Sequence, residues 1–71
     1  MKNFDYEACM ETAQTNYELY KEIGWSTFLL NAYRASCQAF AVADVGREFY
    51  TAVNLHAELH NLMLKRLEIL K

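Results

Sequence analysis

The sequence predicts an all-α fold, a small bundle of two to three helices that is completed by dimerisation. Three observations carry that expectation. The 71 residues contain no proline and only two glycines, so long stretches run without a residue that breaks a helix. Apolar residues recur at spacings of three and four, the period of one helix face. The apolar fraction, 54%, exceeds what one small core can hide, which calls for a second copy or a partner to cover the remainder. The length implies a single domain over residues 1–71. A lone core of this size yields only ~3–5 kcal/mol of net stability, so disulfides, metal or self-association are the usual supports.

The first helix is expected over about residues 4–23. Asn3 is a good N-cap, and Asp5 and Glu7 fall in the first turn, where the helix dipole favours negative charge. Tyr6, Met10, Ala13, Tyr17 and Tyr20 form its apolar stripe, widened by Cys9 and Ile23. Gly24 is suited to the left-handed position that ends a helix. Trp25 is then placed to fold over the corner, with Ser26 or Thr27 capping the second helix.

That second helix, about residues 27–43, is apolar nearly all round. One line carries Phe28, Ala32, Ala35, Ala39 and Val42, and another carries Leu29, Tyr33, Cys37 and Phe40. Small residues on the first line allow close approach of a neighbour, and the helix is expected to be central, covered on two sides. Near Asp44–Gly46 a break or sharp kink is favoured over one helix running to Leu70. A continuous helix of that length would extend ~65 Å and need a second chain to cover it.

The third helix, about residues 45–70, has an apolar face four heptad positions wide. Phe49, His56, Met63 and Leu70 share one position. Ala52, Leu59 and Arg66 share the position three further on, with Leu55, Leu62 and Ile69 on one flank and Val53, His60 and Leu67 on the other. A face that wide touches more than one neighbour. The interface is accordingly placed on Leu55, His56, Leu59, Leu62, Met63, Ile69 and Leu70. Charged substitution at Leu55, Leu62 and Ile69 is expected to disrupt association more than folding.

Composition narrows the function classes. The net charge of −2 argues against general attraction to nucleic acid. Acidic residues gather in the first helix and basic ones in the last, an uneven but mixed surface. The run from Phe28 to Ala43 is too short for a membrane span and is interrupted by Arg34. With no signal-peptide pattern at the start, a cytoplasmic, reduced protein is expected. Cys9 and Cys37 then read as small buried hydrophobes, not as a disulfide or redox pair.

His56 and His60 are four apart on one helix face, and with Cys9 and Cys37 they would make up a two-Cys, two-His set. Zinc sites bring such ligands in tight local pairs, whereas these cysteines are 28 residues apart. The run HAELH is not the HExxH of a zinc protease. Neither a metal nor any other cofactor is therefore expected, and the histidines read as interfacial or half-buried. Imidazoles facing each other across a dimer would weaken it on acidification.

No Gly-rich phosphate loop, nucleophile–base spacing or paired carboxylates support catalysis. The expectation is a non-enzymatic interaction protein, a regulator or inhibitor acting as a homodimer on a protein partner whose identity the residues do not encode. The alternative is a dimeric DNA-binding regulator, with a helix-turn-helix across helices two and three that presents Arg47, Tyr50, Thr51 and Asn54. Basic support for that alternative is thin. The cluster Lys65, Arg66 and Lys71 is equally explained by the negative end of the last helix dipole.

Overall fold

The computed structural model describes the backbone of residues 3–70 and the side chains of residues 3–67. The described residues form three helices and no strand: α1 (Phe4–Ile23), α2 (Ser26–Val42) and α3 (Arg47–Leu70). None of these helices is long and apolar enough to cross a membrane.

α1 starts where the Asn3 side chain accepts a hydrogen bond from the Tyr6 amide at 3.2 Å, satisfying one of the free N–H groups of the first turn. It ends at Gly24, whose φ of 86° reverses the chain while its amide donates to the Tyr20 carbonyl at 2.8 Å. Asn3 also works at a distance. Its amide nitrogen donates to the Val42 carbonyl at 2.7 Å and to the Glu48 carboxylate at 3.1 Å, so one side chain ties the start of α1 to the end of α2 and the first turn of α3. Asn3→Ala is expected to cost about 2 kcal/mol, roughly one for the cap and one for the two lost donors. Asn3→Ser, which keeps a cap acceptor without setting a carboxylate against Glu48, should recover about half of that in urea melts. Equal losses for the two variants would show that the long-range bonds carry the whole effect.

Only Trp25 stands between Gly24 and α2, so the tryptophan itself takes the N-cap position, with φ −75° and ψ 128°. This corrects the expectation that Ser26 or Thr27 caps the helix: Ser26 is already its first residue, and no side chain caps it. Nor does Trp25 seal the corner. It is 66% exposed and stacks on Phe28, with ring centroids 6.0 Å apart.

The second corner is a true break. Ala43 is extended (ψ 140°) and Gly46 has a φ of 110°, which no helix accommodates, so α3 begins at Arg47. The Tyr50 amide donates to the Gly46 carbonyl at 3.0 Å. The Asp44 amide donates to the Glu48 carboxylate at 3.0 Å, which holds the connecting turn against the first turn of α3.

α2 is the central helix, running antiparallel to both neighbours. Cys9 of α1 meets Gln38 of α2 at 4.0 Å on one side. On the other, Phe40 lies 5.1 Å from Phe49, and Tyr33 lies 4.9 Å from His56. The core joins Ala13 of α1, Leu29, Ala32 and Ala35 of α2, and Leu55 and Leu59 of α3. Alanines at the contacts let the helix axes approach closely, while the leucines and the flanking Met10, Tyr17, Tyr20, Tyr33, Leu62 and Met63 supply bulk. Buried Ser36 donates to the Tyr33 carbonyl at 2.6 Å and so leaves no unsatisfied hydroxyl proton. At 44 × 18 × 13 Å the body is slender, and each helix keeps an outer face.

Candidate protein-interaction face

Where α2 and α3 run alongside each other, their aromatic residues form a file of rings. Phe49 touches Phe40, with centroids 5.1 Å apart, and Phe40 lies 6.2 Å from His56. His56 lies 4.9 Å from Tyr33, which lies 6.2 Å from His60. The two imidazoles are stacked at 6.3 Å. Their four-residue spacing on α3 places both on one side, and Tyr33 and Phe40, seven apart on α2, fall two turns from each other on the facing side.

Around this file the exposed or half-buried surface is apolar. α2 contributes Leu30, Tyr33, Cys37 and Phe40, and α3 contributes Phe49, Val53, His56, His60, Leu64 and Leu67. No Asp, Glu, Lys or Arg stands among these ten positions. An uncharged face spanning two helices exceeds the scattered apolar exposure that is normal for a monomer. Toward its far end, a mostly apolar groove of about 270 Å³ opens between the start of α2 and the last turns of α3, walled by Leu29, Leu30, Met63 and Leu67, with Ser26, Thr27 and the cationic Arg66 at its polar side.

The residues expected to form the interface divide in two. Leu55 (6% exposed) and Leu59 (0%) lie inside the chain, and Leu62 and Met63 pack half-buried against the same core. Leu55 and Leu59 are corrected from partner contacts to internal ones, because α2 packs on that half of the α3 face, whereas Met63 also lines the groove at the end of the hairpin. His56 is half-buried in the ring file. The side chains of Ile69 and Leu70 lie outside the described residues. The outward half of α3 instead carries Tyr50 (68% exposed), Leu64 (47%) and Leu67 (59%), with Val53 and His60 between them. Its signal was present in the sequence as a second register: Tyr50, Val53, Ala57, His60, Leu64 and Leu67 alternate by three and four.

A contact that spacing alone does not reveal joins Cys37 to His56, 19 residues apart, with Sγ 3.5 Å from Nδ1. Ser36 Oγ lies 3.4 Å from the same nitrogen. The Ser36 proton is directed to the Tyr33 carbonyl, so Ser36 can only accept from a protonated Nδ1, whereas the Cys37 thiol can donate to a bare one. A thiol beside an imidazole is one part of a nucleophilic site, but the groove that could hold a substrate lies at the end of the hairpin, with neither Cys37 nor His56 among its walls. Cys9 faces Gln38 on the α1 side of α2, away from His56. Among the described residues, no three His, Cys, Asp or Glu side chains converge as metal ligands.

At the α1–α3 edge, the Tyr17 hydroxyl donates to the Glu58 carboxylate at 2.8 Å. Burial, then the hydrogen bond to Glu58, then the charge of that carboxylate raise the Tyr17 phenol above its ordinary value of 10.0. With the folded value above the unfolded one, the stabilisation is complete below about pH 10 and is lost as the pH rises through the folded value. Tyr17→Phe is expected to cost about 0.5–1 kcal/mol near neutrality, the low range suited to a bond at the solvent edge. It should also remove that share of the alkaline loss. Urea melts at neutral and strongly alkaline pH measure both, and a variant that tracks the wild type in each would deny the bond any part in stability.

α2 and α3 meet along their length, from Phe40–Phe49 to the groove shared by Leu30 and Leu67. They form an antiparallel hairpin in place of the ~90–120° crossing of a helix-turn-helix. Arg47, Tyr50, Thr51 and Asn54 are all exposed. Comparison of the chain with protein-family models, curated proteins and solved structures gives no match.

Proposed function

We propose that the protein is a non-enzymatic helical interaction module, a regulator or inhibitor working through protein–protein contacts, and that its α2–α3 face joins two copies. The observation that carries this reading is the uncharged aromatic and aliphatic face shared by the two helices and left partly open to solvent. A slender chain whose core is built largely of alanines gains from such pairing, because association supplies apolar burial that the single copy lacks. The face is about two helix diameters wide and ~27 Å long, on the order of 500 Å² per copy in projection. Two copies together thus reach the ~1,000 Å² at which specific interfaces begin. The outer side of α1, with Glu7, Glu11, Glu18 and Glu22 exposed, stays clear of the pairing and remains open to a target.

Sedimentation equilibrium of the untagged chain over the micromolar range tests the reading. A mass twice the 8.3 kDa of one chain is expected. A single-chain mass at the highest concentration would overturn it.

A further inference from the structure

We infer that the two copies pair antiparallel, α3 against α3, with the projecting Phe49–Tyr50 pair of each copy meeting the Leu30–Met63–Leu67 groove of the other. This rests on the homodimer reading and specifies its geometry.

The outward residues of α3 follow a three–four repeat: Tyr50, Val53, Ala57, His60, Leu64 and Leu67. That is the seam of a two-helix packing, and all six positions are exposed or half-buried. The two ends of the seam differ in shape. At one end Tyr50 stands 68% exposed, braced edge-on by Phe49 at 5.9 Å. At the other lies the groove of about 270 Å³. Projection and groove are ~25 Å apart along one helix. Parallel pairing would set projection on projection and leave both grooves empty. A two-fold axis across α3 sets projection into groove twice, as a self-complementary interface requires.

The layers agree with this arrangement. Antiparallel pairing centred between Glu58 and Leu59 opposes Tyr50 with Leu67, Val53 with Leu64, and Ala57 with His60. Small then meets large at the middle layer, whereas parallel pairing would set His60 on His60 and leave a gap where Ala57 meets Ala57. Along the polar edge, exposed Asn54 comes opposite Asn61 of the second copy, a pair of amides able to bond reciprocally. The helix dipoles are also opposed. Size, shape and helix dipole favour one register with a second copy of this chain as the occupant.

Complementary charges test the pairing. Tyr50→Lys and Leu67→Glu should each weaken self-association about tenfold or more in sedimentation equilibrium. An equimolar mixture should recover most of it, because each heterodimer then has one Lys–Glu end and one native end. The double variant, with both substitutions in one chain, should dimerise through two such ends. Both positions are mostly exposed, and circular dichroism of each variant checks that the helices are intact. If the wild type dimerises but neither the mixture nor the double variant recovers association, the antiparallel register is overturned and the homodimer reading stands. A monomeric wild type overturns both.

Discussion

Leu59→Ala is expected to leave the chain largely unfolded at room temperature when it is dilute enough to be monomeric. Leu59 has no exposed surface and sits between Leu55 on its own helix and the Leu29–Ala32–Ala35 line of α2. Removing such a side chain costs about 2–5 kcal/mol through lost transfer energy and the cavity left behind. A core of this size supplies only ~3–5 kcal/mol in total, so one truncation consumes most of it. The three alanines of the cluster, Ala13, Ala32 and Ala35, have no side-chain reach with which to fill the space. Loss of the helical circular-dichroism signal, or a urea midpoint too low to define, is the expected result. A midpoint close to that of the wild type would mean that the core lies elsewhere.

Leu64→Glu should do the opposite, leaving the fold intact and the chain monomeric. Leu64 is 47% exposed in the single copy and stands in the outward seam, opposite Val53 of the second copy in the proposed register. A carboxylate there costs little in the monomer but would be desolvated without a partner in the dimer, a penalty of about 2–5 kcal/mol, which is tenfold or more in association. Sedimentation equilibrium and a thermal melt on one sample separate the two properties. If Leu64→Glu keeps the wild-type dimer, the seam of α3 is not where the copies meet. The pair of variants also reverses the expectation attached to Leu55: its heptad position groups it with Leu62 and Ile69 as an outside residue, yet it is 6% exposed, so charge there attacks folding first.

The contrast shows which features of this chain can be read from one dimension. Asn3 and Gly24 announce the ends of α1 through backbone chemistry that depends on a few adjacent residues, and both act as expected. The second corner is legible as a break near Asp44–Gly46, and the positive φ of Gly46 starts α3 at Arg47, two residues later than the expected bound of about 45. The width of the α3 face is legible as well, and it exceeds what α2 covers. Which half faces inward is not local information. It depends on the side of α3 against which α2 docks, and that arises from the sum of contacts along both helices. The same limit hides the meeting of Cys37 with His56, since two residues on separate helices share a place only once the hairpin has chosen its register. Trp25 does not seal the corner because the turn is too short: with a single residue between Gly24 and Ser26, its backbone must serve as the cap, and the ring is left against Phe28.

The triple tie made by Asn3 bears on the order in which the chain can become stable during synthesis. Its acceptors lie 39 and 45 residues downstream, so the first cap of the protein is not fully braced until α3 has begun. The α1–α2 hairpin emerges first and holds together by short-range contacts, but its share of the buried core is mostly alanine, with Leu29 as its one large member. The remaining large buried side chains, Leu55 and Leu59, arrive only with α3. A nascent chain that has not yet produced residue 59 therefore has α1 packed on α2 but lacks two of the three large leucines of the buried core, which closes only when α3 docks.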